Sequence, residues 1–97
     1  MKTNLAALEL LAKNLRKQEP RHASEELAGY PMAARCLDKC RASLLGWQGD
    51  FTYGCPMDRE FLTEAGLDLN EFRDFVATGA SDNEVSQWIE AHSSARH

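Results

Sequence analysis

"LDLNEFRDFVATGASDNEVSQWIEAH", residues 67–92, decides the fold class. Asp68 stands three residues before Glu71, and Ser81 three before Glu84. At that spacing a capping side chain and a returning carboxylate mark a helix start. Behind each start the apolar positions recur three and four apart: Leu69, Phe72 and Val76, then Val85, Trp88 and Ile89. Each segment therefore turns one face inward. Gly79 falls where the first of the two must end, because glycine accepts the left-handed backbone that closes a helix.

The same punctuation runs upstream. Gly66 ends a segment whose inner face is Phe61, Leu62 and Ala65, and which starts at Cys55-Pro56, proline being favoured at a first helical position. Ala33, Cys36, Leu37, Cys40 and Leu44 share one sector of a helix that Pro31 introduces, with Arg35, Asp38, Lys39 and Ala42 opposite or to the side. Ser24 caps a short turn through Leu27, and Gly29 suits its exit. Leu5, Leu8, Leu11, Ala12 and Leu15 give a leading helix from about Thr3 to Gln18, closed by Glu19-Pro20. The expected fold is an all-α single domain, a bundle of about five short helices with one extended segment near 49–55. Residues 1–19 form a basic leading helix, 20–92 the core and 93–97 a flexible tail.

Composition agrees with one small core. The chain has 97 residues, 43% of them hydrophobic, which leaves no room for a second lobe. No apolar run reaches the ~18 residues of a membrane span, and the leader carries too many interior charges for a signal peptide. A cytoplasmic location without membrane attachment is the expectation. Charge is uneven within a net of -4: residues 1–22 hold five Lys/Arg against two Glu, and residues 50–97 hold three Arg against ten acids. The ends attract each other, so the leader either folds over the acidic half or offers a contact to an acidic partner. Residues 67–92 also have the outline of a helix-turn-helix, but Asp82, Glu84 and Glu90 on the second helix would repel phosphate, which speaks against nucleic acid.

Three cysteines leave at least one outside any disulfide scheme, and reduced thiols are expected. Cys36 and Cys40 lie on the apolar face as small hydrophobes. Neither "CLDKC" nor His22, His92 and His97 supplies four ligands at zinc spacing, so no metal and no cofactor are expected. Cys55 differs, because a helix starting at Pro56 makes it the N-cap. Backbone amides and the helix dipole favour a thiolate there, while Asp58 and Glu60 in the same first turn favour the thiol.

The run "LAGYPMAARCLDKCRASLLGWQGDFTYGCPMDREFL", followed by "GLDLNEFRDFVATGASDNEVSQWI", resembles the bacterial domain-of-unknown-function (DUF) family 5069. The shared pattern falls on Pro20, Arg21, Leu27, Gly29, Tyr30, Arg35, Asp38, Lys39, Arg41, Ala42, Gly49, Tyr53, Cys55, Pro56, Asp58 and Trp88. Departures are His22 for serine, Pro31 for an aliphatic residue and Met57 for leucine. The resemblance implies ancestry and no activity.

It does single out a constellation. Asp38, Lys39, Arg41 and Arg35 are candidate ligand-binding residues, and Cys55, Tyr53 and Asp58 are candidate catalytic ones. Brought together, they could do acid–base or nucleophilic work on a small anion. Left as ion pairs, they are ordinary structure. Two readings follow: a helical module that binds a protein partner or small anionic ligand without chemistry, and a thiol-dependent enzyme or redox protein centred on Cys55. The incomplete catalytic set places the binding module first.

Overall fold

Caps and glycines place the last three helices where the sequence marks them. The structure is a computed structural model and describes residues 3–93. Among these, five helices and no strands occur: α1 (Leu5–Leu11), α2 (Ala33–Leu45), α3 (Pro56–Ala65), α4 (Leu69–Val76) and α5 (Asp82–His92). Asp68 accepts from the amides of Asn70 and Glu71, and Ser81 and Glu84 exchange side-chain and backbone bonds as a full capping box. Gly46 and Gly66 end α2 and α3 in left-handed conformation, each followed by an amide that reaches back into the last turn.

The central element is α2, which packs against α1, α3 and α4. Cys36, Leu37 and Cys40 meet Leu8, Phe61, Phe72, Val76, Val85 and Ile89 in one core. Phe72 links the layers, edge-on to Phe61 at 6.4 Å and to Trp88 at 5.9 Å. No described helix is long and apolar enough to cross a membrane.

Three local expectations need correction. The leading helix stops at Leu11 instead of running to Gln18, because the Asn14 side chain takes the Arg16 amide and Nε while its carbonyl takes the Lys17 amide. Such side-chain turns compete with helical bonding. The chain turns there and buries Leu15 against the backbone of Gly49, where a Cβ would lie 2.8 Å from the Leu15 carbonyl oxygen. No helix forms at Ser24–Leu27; the chain reverses tightly just after it, with Leu27 paired to Tyr30 across Ala28 and Gly29, both at positive φ, and Gly29 takes the left-handed conformation expected of it. Pro31 precedes α2 rather than opening it, since Met32 is the N-cap, in left-handed conformation. Asp38, Lys39 and Ala42, which lie off the apolar sector, are buried all the same, so that α2 is covered on its polar side as well as its apolar one.

Of the expected tail, Ser93 is held by bonds to the Ala65 carbonyl and the Tyr30 hydroxyl, and residues 94–97 lie outside the described residues.

Candidate functional site

Because α2 is covered on both sides, its charges must find partners within the protein. They divide into two separate clusters rather than one constellation. On the side of the leader, Arg21 spans Asp38 (Nη2 to Oδ1, 3.0 Å) and Asp82 (Nη1 to Oδ2, 2.8 Å). Arg41 reaches the other Asp82 oxygen at 2.9 Å and the Ala80 carbonyl at 2.9 Å. The result is an Asp38–Arg21–Asp82–Arg41 chain of alternating charge. Burial works against the Asp82 carboxylate, but the two guanidiniums outweigh it and hold its pKa below the usual value. Arg35 stands apart, donating to the Arg21 carbonyl at 3.4 Å and lying over the Phe51 ring at 5.6 Å.

The second cluster lies where α2 meets the start of α3. Pro56 occupies the first turn of α3 with Cys55 as its N-cap, so the chain enters in extended conformation. Gly54 fixes the approach: its φ is +86°, its amide donates to Asp58 Oδ2 at 2.9 Å, and its carbonyl accepts from Arg59 Nε at 2.8 Å. The Cys55 sulfur makes no bond to the helix amides. It accepts instead from Lys39 Nζ at 3.1 Å, and the same nitrogen lies 3.0 Å from Asp58 Oδ2. Lys39 is 4% exposed and Asp58 wholly buried, whereas Cys55 is partly open to solvent. Burial lowers the Lys39 pKa, yet its sulfur and carboxylate partners outweigh it and raise the pKa overall, so it remains an ammonium. Asp58 Oδ1 has no partner.

Tyr53 does not join this cluster. Its hydroxyl donates to the Leu69 carbonyl at 2.7 Å and its ring stacks on Phe72, and burial pushes the phenol well above its ordinary range. Cys36 and Cys40 are fully buried, and burial raises both thiols. Among the described residues no group of three or more His, Cys, Asp or Glu could hold a metal ion.

Arg21, named only in the family pattern, and Asp82 are the members of the first cluster absent from the sequence-based candidates; Asp82 is the harder of the two to find. As a first-turn acid behind a capping box it has a sufficient local explanation, and nothing local shows that it faces Arg21 and Arg41 from 61 and 41 residues away.

Chemically, the first cluster balances its charges, two acids against two guanidiniums, and leaves only the buried Arg41 Nε without a partner among the described residues. The second places a part-exposed nucleophile against a buried cation, itself oriented by a buried acid. A family model described as a domain of unknown function (DUF5069) matches residues 17–97. A search of curated proteins finds no match.

Proposed function

The chain belongs to the DUF5069 family of unknown function, and we propose that it is a thiol-based, redox-responsive protein whose reactive group is Cys55. One observation carries this reading: the buried Lys39 ammonium lies between Cys55 Sγ and Asp58 Oδ2. Burying an ammonium costs several kcal/mol unless acceptors replace its water. A valine or alanine at position 55 would fill the turn without supplying an acceptor. A cation bonded to a part-exposed sulfur is the setting in which reactive cysteines occur. The thiol lines neither of the clefts that flank it, at Tyr53 and at Met57, which favours a modified thiol over an enzyme with an enclosed substrate site.

Timed alkylation of the native protein, mapped by peptide mass spectrometry, tests it. Cys55 should label well before Cys36 and Cys40, and Lys39→Met should change the Cys55 rate while Lys39→Arg largely preserves it. Equal protection of all three thiols until unfolding would remove the proposal.

The binding-module reading keeps one specific support. Leu5, Leu10 and Leu11 on α1 are 54%, 89% and 37% exposed, beside Lys13, in a segment that precedes the family match. That surface suits a protein partner with an acidic rim better than a small anion, because Arg21 and Arg41 are already engaged by acids. Loss of a co-purifying partner on Leu10→Glu, with helix content unchanged, is the outcome this reading requires.

A further inference from the structure

Building on the thiol reading, we infer that oxidised Cys55 closes a reversible covalent sulfur–nitrogen bond to Lys39, which makes this pair a redox-operated cross-link between α2 and the start of α3.

Sγ and Nζ are already 3.1 Å apart. Burial of the lysine head holds Nζ facing the sulfur, so the two need only close that gap to bond. Asp58 supplies the remaining requirement, a place for the proton that an ammonium must lose before its nitrogen can attack. Its Oδ2 lies 3.0 Å from Nζ, and its fully buried Oδ1 has no partner and can hold that proton.

The oxidant is a hydroperoxide. The Cys55 sulfur attacks the peroxide, the O–O bond breaks, and the departing oxygen leaves as water or alcohol with the thiol proton. Sulfur loses two electrons to the peroxide and becomes a sulfenic acid. Lys39 then passes one proton to Asp58, and its lone pair attacks sulfur. The S–O bond breaks, and the hydroxyl leaves as water with a second proton from nitrogen. That condensation forms the S–N bond with no further redox change, as sulfenic acids do with backbone nitrogen. A small thiol reopens it by attacking sulfur, which frees the amine. A second thiol then resolves the mixed disulfide. The bridge spares Cys55 from irreversible oxidation to sulfinic acid.

Cys36 is the competing thiol, one turn before Lys39 on α2. It sits in the core, where burial keeps its thiol protonated, and a protonated thiol is a poor nucleophile.

The test treats the full chain with hydrogen peroxide and follows intact mass and tryptic peptides. The bridge predicts a product lighter than the starting protein by two hydrogen atoms. Trypsin would no longer cut after Lys39, the peptides holding Lys39 and Cys55 would be joined, and dithiothreitol would restore both. Lys39→Arg should stop at the sulfenic acid, which dimedone traps. Dimedone trapping in the wild-type protein, or a Cys36–Cys55 disulfide with normal cleavage after Lys39, would overturn the bridge and leave the thiol reading standing. Failure of Cys55 to oxidise before unfolding would overturn both.

Discussion

Arg21 grips Asp38 from two directions: its backbone amide donates to Oδ2 at 2.7 Å while its guanidinium spans both carboxylate oxygens at 3.0 to 3.2 Å. Asp38 is almost wholly buried on α2, so Arg21 both neutralises it and fastens the irregular leader segment to the central helix.

Removing the cation leaves the acid buried and unpaired. Arg21→Ala should lower the unfolding free energy by on the order of 3 kcal/mol, the cost of breaking a buried pair from one side. Arg21→Lys should fall between, because a point charge cannot reproduce the two-pronged contact. Urea denaturation measures both. A loss below about 1 kcal/mol for Arg21→Ala would put the pair in the class of surface salt bridges.

Two glycines with similar backbone angles should respond differently to alanine. Gly46 has φ +73° and open space around it, so Gly46→Ala should cost only the left-handed conformation, about 1–2 kcal/mol. Gly79 has φ +85°, and a Cβ there would lie 2.5 Å from the Ala7 Cβ of α1. Gly79→Ala should cost more and loosen α1, and Ala7→Gly should recover the excess but not the conformational part. Thermal unfolding of the single and double variants checks this. Equal losses for Gly46→Ala and Gly79→Ala would mean that α1 does not rest on that turn.

Elements whose causes are local were legible in the sequence. The Asp68 and Ser81 caps, the Gly66 exit and the Cys55-Pro56 start are each set within a few residues, and all three later helices lie where these signals put them. Helical periodicity failed at the leader, because Leu15 serves the core from a turn as well as it would from a helix. It failed more instructively on α2. A polar stripe normally means solvent, but Asp38, Lys39 and Arg41 are buried because Arg21, Asp58 and Asp82 arrive from elsewhere in the chain. Pairing over such distances leaves no periodic trace. The proximity of Cys55 to Asp58 was visible in sequence and the family pattern set Lys39 in the same constellation, whereas its position between the two was not legible.

Acid should weaken the Asp82 junction. Its carboxyl pKa is lowered on folding, so the stabilisation it gives is complete above its ordinary value of 3.8 and lost as pH falls through the lower folded value. Asp82→Asn should reduce stability at neutral pH and flatten the dependence below about pH 4. Urea midpoints across that range decide it. Parallel curves for the two proteins would show that Arg21 and Arg41 gain nothing from this acid.

Lys39 and Asp58 should behave as one unit. Lys39→Met strands a fully buried carboxylate, which should cost about 3–5 kcal/mol. Asp58→Asn leaves Lys39 only the Cys55 sulfur as its acceptor among these partners, and should cost less, because asparagine can still accept from the Gly54 amide. Combined, the two changes should recover part of the loss, with a coupling energy of about 2 kcal/mol in a double-mutant cycle. The pH dependence has the opposite sign to that of Asp82. The Lys39 pKa is raised on folding, so its contribution is fully present below the ordinary lysine value of 10.5 and is lost as pH climbs through the higher folded value. The wild-type protein should therefore lose stability at alkaline pH by more than Lys39→Met does, a comparison that cancels the other groups titrating there. Strictly additive costs, with alkaline limbs that coincide, would mean that ammonium and carboxylate share a pocket without depending on each other, and Lys39 would then have no fixed position from which to address Cys55.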